Sequence, residues 1–230
     1  MILNMKNVTF KYKALDILNC IDLSINEHEI VSILGPNGVG KTTLLKCINA
    51  ILKPYIGSIL IHQEDVMKLN RIAIAKKVGY VAQKNETSRI TVFDAVMLGR
   101  YPYIKWDISE KDIRIVNSII HTLHLNDMSL RFIDELSGGE LRKVCTARAL
   151  VQDPDILLLD EPTSNLDLKN QIEILDLVNR VVTEHNVAAI MTMHDLNMAL
   201  RYSDKLIFLR DGKIYSYCET TDITASIIEE

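Results

Sequence analysis

A glycine-rich segment, residues 35–42, constrains the fold of this chain more than any other stretch. It reads Gly-Pro-Asn-Gly-Val-Gly-Lys-Thr, which has the G-x-x-x-x-G-K-T spacing of a phosphate-binding loop. The apolar run 30–34 before it predicts a buried strand, and the run 43–50 after it has helical spacing and stops before Pro54. A strand, a glycine loop and a helix in this order predict a site where backbone N–H groups and a helix N-terminus face an anion. The competing interpretation is a glycine turn with a solvated Lys41.

Two residues of this loop supply what a bound phosphate chain requires. Lys41 would hold the β- and γ-phosphates, and the Thr42 hydroxyl would hold Mg²⁺. Gln83 follows a short apolar run at 78–82, from which it could reach a metal or an attacking water. A lone glutamine in that position is usually a surface residue, so both interpretations stay open.

Charged residues follow two further predicted strands. The run 155–161 is apolar and ends in Asp160 and Glu161, of which one could hold Mg²⁺ and the next could polarise a water. The alternative is a solvated acidic strand end. His194 follows the apolar run 187–193, where a histidine is often structural, but it falls at the end of the sheet that carries Asp160.

Composition narrows the function classes. A chain of 230 residues is long enough for one large domain, and its net charge of −4 gives no electrostatic reason to expect a nucleic-acid partner. The four cysteines lie far apart without metal-site spacing, which is typical of reduced thiols in a cytoplasmic protein. The N-terminus does not resemble a signal peptide, and no run approaches the roughly 18 apolar residues of a membrane span.

Strands alternating with helices predict an α/β fold with a mainly parallel sheet and helices on both faces. Residues 1–34 read as strands joined by short connections, which predicts an antiparallel sheet, and 206–214 reads as a hairpin. The stretch between the strands 57–61 and 78–82 reads as polar connections.

Residues 84–152 predict a helical subdomain inserted between an α/β core of 1–83 and 153–230. It contains helices at about 91–99 and 109–125, with an aromatic cluster of Tyr101, Pro102, Tyr103 and Trp106 in the break between them.

This subdomain leads into Ser137-Gly138-Gly139-Glu140. Ser137 and Glu140 have the spacing of a capping box, in which each side chain satisfies a backbone N–H of the other residue. A capping box does not need two glycines, whereas a second anion site at a helix N-terminus would use their exposed N–H groups. The two interpretations are compatible.

These motifs together resemble the ATP-binding subunits of ABC transporters, from about Met1 to Ile214. The segment 136–140 resembles the family signature, whose last residue is more often glutamine. Glu140 departs from that pattern but satisfies the same capping geometry. The resemblance implies a P-loop NTPase core, hydrolysis of ATP and the cofactors ATP and Mg²⁺.

The resemblance also implies a role for each motif residue. Tyr12 would stack on adenine, although from the residue alone a core position is the commoner interpretation. Thr42, Gln83 and Asp160 would hold Mg²⁺, and Glu161 would be the general base. Lys41, Gln83 and His194 would act with Glu161 on the γ-phosphate. The residues implied to bind ATP in the first copy are Gly35, Pro36, Asn37, Gly38, Val39, Gly40, Lys41, Thr42 and Thr43.

The remaining residues are implied to act across a dimer. Ser137, Gly138, Gly139 and Glu140 would contact the γ-phosphate of ATP held by the opposite subunit, and Asp167 would lie in a loop that communicates between subunits. A single chain then cannot close a site, so a head-to-tail dimer with two ATPs is expected. The implied partners are transmembrane permease subunits and, indirectly, a solute-binding protein, with the chain on the cytoplasmic face of the membrane.

Two segments, 91–103 and 194–202, resemble the importers of iron–siderophores, haem and vitamin B12. Zinc or manganese importers are the main alternative, and ABC ATPases of DNA repair or translation are another. A small-molecule phosphoryl transferase would leave the segment 137–140 unexplained. Subunits of this group usually continue past the equivalent of Ile228 with another strand, so the C-terminus is expected to be shortened.

Overall fold

Two β-sheets frame the structure, a computed structural model that describes residues 1–83 and 88–223. Within those ranges the strands are β1 Leu3–Tyr12, β2 Leu15–Ile25, β3 Ile30–Leu34, β4 Ile56–Ile61, β5 Glu64–Asp65, β6 Val78–Val81, β7 Ile156–Asp160, β8 Ala188–Thr192, β9 Lys205–Arg210 and β10 Lys213–Glu219.

The first sheet is antiparallel with the order β2-β1-β4-β5, and the second has the order β10-β9-β3-β8-β7-β6. In the second sheet every neighbouring pair is parallel except β9 and β10, which form a hairpin. The carboxyl ends of β3, β6, β7 and β8 therefore meet at one edge, where ligands bind in open α/β sheets. This topology confirms the predicted α/β fold with an antiparallel N-terminal sheet and a mainly parallel second sheet.

Seven α-helices occur in the described ranges. They are α1 Lys41–Ile48, α2 Arg71–Lys77, α3 Val92–Met97, α4 Glu110–Thr122, α5 Gly138–Leu150, α6 Leu168–Glu184 and α7 Leu196–Tyr202. Most begin at a residue whose side chain accepts a backbone N–H of the first turn. Asp167, for example, caps α6 by accepting from the N–H of Asn170 at 2.8 Å.

The parallel strands are buried on both faces because helices cover both. In β7 the alternate residues Leu157 and Leu159 belong to one hydrophobic core, and Ile156 and Leu158 belong to the other. Strands in such a sheet read as continuous apolar runs rather than as alternating patterns. The continuous apolar runs in the sequence therefore predicted the positions of these strands.

Three expectations differ from the structure. Part of the predicted polar connection after β4 is the helix α2, capped by Asn70, whose side chain accepts from the N–H of Ala73. The helix at 91–99 ends at Met97 and continues as a 3₁₀ helix over Leu98–Tyr103.

The aromatic cluster does not form: the side chains of Trp106 and Tyr101 are 94% and 70% exposed, and Tyr103 packs against the guanidinium of Arg100. The expected shortening of the C-terminus falls at residues outside the described ranges. Over residues 1–83 and 88–223, each helix is too short or too polar to cross a bilayer.

Candidate functional site

A cavity of about 460 Å³ opens at the carboxyl ends of the parallel strands, beside the glycine loop. This volume is within the usual range for a small-molecule site. Its lining brings together residues from the first sheet, the loop, α1 and the ends of β6, β7 and β8. They are Tyr12, Ile17, Asn37, Gly38, Gly40, Lys41, Thr42, Thr43, Gln83, Glu161 and His194.

The glycine loop approaches its surroundings too closely for side chains at two positions. Gly40 has φ +113 and starts α1 without a side-chain cap, so the first N–H groups of that helix are left for a ligand. Gly35 has φ +145, and a Cβ there would lie 2.3 Å from the carbonyl oxygen of Leu209. Both positions therefore require glycine.

The Lys41 ammonium folds back over the loop. Its Nζ donates to the carbonyl oxygens of Gly35 at 2.7 Å and Pro36 at 3.1 Å, and the residue is buried. Burial lowers the pKa of Lys41, while the nearby carboxylates of Glu161 and Asp160 act to raise it. Gly35, Pro36 and Val39 shape the loop without lining the cavity.

Asp160 ends β7 in a nearly dry position, 2% exposed, with three hydroxyl groups around its carboxylate. Thr42 Oγ1 and Thr192 Oγ1 both donate to Oδ1, at 3.0 and 2.8 Å, and Tyr80 OH lies 3.4 Å from Oδ2. Burial, followed by the charge of Asp160, raises the pKa of the Tyr80 hydroxyl. The Thr42 hydroxyl, at the start of α1, thus lies directly beside this carboxylate.

Glu161 is held from both sides of its carboxylate. Gln83 Nε2 donates to Oε2 at 2.5 Å, and His194 Nε2 lies 2.7 Å from Oε1. The backbone of Glu161 has φ +49, a left-handed conformation that is uncommon for a residue with a side chain. Its N–H donates to Thr192 Oγ1 at 2.8 Å, and that bond fixes the conformation. Thus Gln83, Glu161 and His194, from three different strand ends, meet at one point.

Tyr12 is not a core residue, so that interpretation of the sequence was wrong. Its side chain is 44% exposed, lines the cavity and meets the Phe10 ring edge-to-face at 4.8 Å between centroids. An aromatic face at the mouth of the cavity is available for stacking.

The segment Ser137–Glu140 and Asp167 do not line this cavity. Ser137 caps α5 in the predicted capping box: the N–H of Glu140 donates to Ser137 Oγ, and Glu140 Oε2 accepts the N–H of Ser137 at 2.8 Å. That bond lowers the pKa of Glu140. Gly138 is exposed and a Cβ there would meet nothing within 4 Å, whereas one at Gly139 would lie 3.0 Å from the Asn170 side chain. The helix start therefore faces outward, next to the start of α6.

Two residues of this site carry no signal in the sequence. Thr192 ends β8 and bonds both Asp160 and Glu161. Arg142, in α5, donates to backbone carbonyls beside Gln83 and Glu161. Neither lies in a motif, because each acts through contacts between segments that are distant in the chain.

A groove of about 520 Å³ lies between α1, α2 and the 3₁₀ helix Leu98–Tyr103, away from the glycine loop. The side chains of Ile51 and Leu98 line it and are 55% and 54% exposed. Exposed apolar side chains grouped around a concave surface are typical of an interaction site.

Comparisons with known proteins agree with this geometry. A family model described as ABC transporter matches residues 18–164. An uncharacterized ABC transporter ATP-binding protein of Methanocaldococcus jannaschii is 56% identical over 94% of this chain and 85% of its own length. A petrobactin import ATP-binding protein of Bacillus subtilis is 33% identical, over 98% of this chain and 90% of its own.

Two further comparisons extend these findings. A cobalamin import ATP-binding protein of Halobacterium salinarum is 34% identical over 86% of this chain and 50% of its own length. Among solved structures, a dimeric bacterial ABC transporter cassette aligns with a TM-score of 0.86 and 30% identity, covering 95% of this chain and 98% of the other.

Proposed function

The chain belongs to the ABC transporter family, and we propose that this ABC ATPase powers an importer of a metal chelate, namely an iron–siderophore, haem or cobalamin. The observation that carries the ATP-hydrolysing part of the proposal is the convergence of Lys41, Gln83, Glu161 and His194 on one cavity beside the glycine loop. Hydrolysis of a phosphoanhydride needs a phosphate cradle, a base and a partner for the developing charge, and these residues supply all three.

Each residue has a role that fits its position. Tyr12 stacks on the adenine, and the loop from Gly35 to Thr43 wraps the phosphates with Lys41 on the terminal ones. Glu161 takes the proton of the attacking water, and His194 contacts the γ-phosphate. Glu161 lies within hydrogen-bond distance of both Gln83 and His194, so these two side chains are placed to orient the base next to the terminal phosphate.

The residues around Asp160 fit a magnesium ion. Thr42 Oγ1 and Asp160 Oδ1 are 3.0 Å apart, and Gln83, whose amide carries a further oxygen, lines the same cavity as Thr42. Mg²⁺ prefers oxygen ligands and usually completes its shell with water and substrate phosphates. Magnesium would neutralise the phosphates, while Asp160, buried and bonded to two threonines, keeps the Thr42 hydroxyl in place.

The position of Ser137 supports a head-to-tail dimer. Ser137 and Gly138 are exposed at a helix start outside the chain's own cavity, where a second copy's ATP could bind. Two such contacts related by a two-fold axis close two sites at once. The solved cassette is dimeric, which supports an assembly of two copies.

The groove lined by Ile51 and Leu98 is proposed as the docking surface for transmembrane permease subunits. It lies beside β6, whose end carries Gln83, so a permease pressed into the groove could act on that residue. Docking there would hold the chain at the cytoplasmic face of the membrane. A solute-binding protein would act on the permease and not on this chain.

The cargo class follows from the segments 91–103 and 194–202 and from the names of relatives that import petrobactin and cobalamin. The test is co-expression with the permease, reconstitution into liposomes and measurement of ATP-driven uptake. Uptake of a ferric siderophore, haem or cobalamin is expected. Uptake of free zinc or manganese alone, or the lack of any permease partner, would contradict the proposal.

ATP chemistry at the loop is tested with Lys41→Ala. Loss of the ammonium should weaken ATP binding and abolish hydrolysis, as measured by a fluorescent ATP analogue and by phosphate release. Lys46→Ala, on the same helix but away from the cavity, is the matched control and should bind ATP normally. Unchanged ATP affinity in Lys41→Ala would make the loop assignment wrong.

A further inference from the structure

Arg142 is a buried arginine with no carboxylate partner among the contacts of the described residues. It lies in the second turn of α5, the helix that Ser137 caps, and is 5% exposed. Burying a guanidinium is costly unless its N–H groups are satisfied. The hydrogen-bond partners of the Arg142 guanidinium therefore indicate what this side chain does.

Its two terminal nitrogens donate to backbone carbonyls on two separate segments. Nη1 donates to Ala82 O at 2.7 Å and Nη2 to Gln83 O at 3.0 Å, on the segment after β6. Nη2 also donates to Glu161 O at 3.3 Å, on the segment after β7. Since β6 and β7 are neighbouring parallel strands, one planar group bridges the ends of both.

The same two segments carry the side chains that meet in the cavity. Gln83 Nε2 and Glu161 Oε2 are 2.5 Å apart. Arg142 binds the backbone carbonyls of these same two residues, so it holds together the two segments whose side chains form this contact. The Glu161 carbonyl also accepts from Ser164 Oγ at 3.0 Å, and the residue has a left-handed φ. A backbone in this unusual conformation depends on such bonds to keep its side chain aimed.

We propose that Arg142 is a positioning residue that fixes Gln83 and Glu161 relative to α5 and thereby links the two ATP sites of the dimer. The start of α5 faces the ATP of the second copy, whereas Glu161 faces the ATP of its own copy. When the start of α5 closes on the ATP of the second copy, the rigid connection through Arg142 also sets the position of Glu161 beside the ATP of its own copy. This inference rests on the proposed function, because it needs one ATP at the start of α5 and another in the chain's own cavity.

The planar fork of arginine is what the role requires. Arginine carries five N–H donors on a rigid plane, so two nitrogens reach three carbonyls in a fixed geometry, whereas lysine offers its three donors from one nitrogen at the end of a flexible chain. Arg100 offers a comparison within the same helical region. It is equally buried, but it pairs with Asp112 at 2.9 Å and with Val151 O at 2.7 Å, away from the cavity.

The test compares Arg142→Met and Arg142→Lys with wild type and with Arg100→Met as a matched buried-arginine control. For both Arg142 variants kcat should fall by about 10- to 100-fold, the effect of a small misplacement of a catalytic group. Their dissociation constant for ATP should stay within about twofold, because the loop is untouched. Arg100→Met should lower the melting temperature and keep kcat within about twofold below that temperature.

Chemical rescue separates positioning from folding. Guanidinium ion added to Arg142→Ala, at concentrations far below those that unfold proteins, should restore part of kcat and should not affect Arg142→Lys. Recovery in Arg142→Ala alone supports the proposal even if Arg142→Met folds poorly. A failure of guanidinium to restore any activity, or equal losses of kcat and ATP affinity, would assign Arg142 a structural role only.

The two proposals fail differently. Wild type that hydrolyses no ATP overturns the proposed function and this inference together. Wild type that hydrolyses ATP, with Arg142→Met and Arg142→Lys at the wild-type rate, overturns this inference alone.

Discussion

Thr192→Val tests how the carboxylates of the site are held in place. Thr192 is completely buried at the end of β8 and is paired in register with Asp160. Its hydroxyl donates to Asp160 Oδ1 and accepts the N–H of Glu161, both at 2.8 Å. Valine has the same shape without the hydroxyl, so the substitution removes two hydrogen bonds and leaves packing intact.

The cost can be worked from those two bonds. A hydrogen bond to a charged group contributes about 1.5 kcal/mol at the low end of its range, and a buried N–H left unsatisfied costs about 1 kcal/mol at the low end of its own. The low ends apply because Asp160 keeps Thr42 and Tyr80, and because Glu161 is only partly buried. The free energy of unfolding should therefore fall by about 2.5 kcal/mol.

Catalysis should suffer as well, because the N–H of Glu161 anchors a left-handed backbone. A positioned general base contributes about 100- to 10,000-fold, so partial misplacement should lower kcat by about tenfold. Urea unfolding at pH 7 measures the first effect and phosphate release at saturating ATP the second.

Two control variants isolate the hydroxyl. Thr192→Ser keeps both bonds and should cost only about 1 kcal/mol for the lost methyl, with normal kcat. Thr183→Val removes an exposed hydroxyl on α6 and should change stability by less than about 0.5 kcal/mol. The reasoning is refuted if Thr192→Val is as stable and as active as Thr192→Ser.

Three other substitutions probe the base, the helical region and the groove. Glu161→Gln should bind ATP, lose at least about 100-fold in kcat and trap an ATP-bound dimer on size exclusion; normal turnover would remove Glu161 from its role. Asp112→Asn should cost about 3 kcal/mol at pH 7, because it leaves the buried Arg100 without its carboxylate. Hydrogen bonds from Ser109, then from Arg100, lower the pKa of Asp112 below its ordinary 3.8, so this stabilisation is present above that pH and is lost as pH falls through the lower folded pKa. The stability difference between variant and wild type, from urea unfolding, should therefore narrow below about pH 4; a constant difference would contradict the ion-pair origin. Tyr101 lies in the 3₁₀ helix that contributes Leu98 to the groove and is 70% exposed, so Tyr101→Ala should lower permease-stimulated hydrolysis more than basal hydrolysis; equal losses would argue against docking there.

Structural features that depend on residues adjacent in the chain were predictable from the sequence. The run 30–34, the glycine loop and the helix after it follow one another in the chain, and the structure has them as β3, the loop and α1. The capping box of Ser137 and Glu140 is equally local. Such patterns depend on backbone preferences and apolar periodicity, which a short window contains.

Features that depend on distant segments were not predictable. The helix α2 is short and has no buried residue, so it lacks an apolar stripe and depends on the Asn70 cap. Thr192 and Arg142 have neutral local contexts, and only the sheet order β8-β7-β6 makes them neighbours of Glu161 and Gln83. Strand alternation restricts the possible orders but does not select one.

The outward-facing start of α5 and the buried Arg142 lie on the same helix and bear on the same step, the association of two copies. The box on Ser137 satisfies only part of the N–H groups at the start of α5, and Gly138, the first residue of the helix, is exposed. The chain's own cavity beside the glycine loop also opens to the surface. A second copy related by a two-fold axis covers both at once, so binding energy at the cavity and at the helix start is gained in one step. If Arg142 transmits this closure to Glu161, the rate of ATP hydrolysis should rise with the square of protein concentration when the dimer is weak. Arg142→Met should still form the ATP-dependent dimer, but dimer formation should no longer increase its rate of hydrolysis.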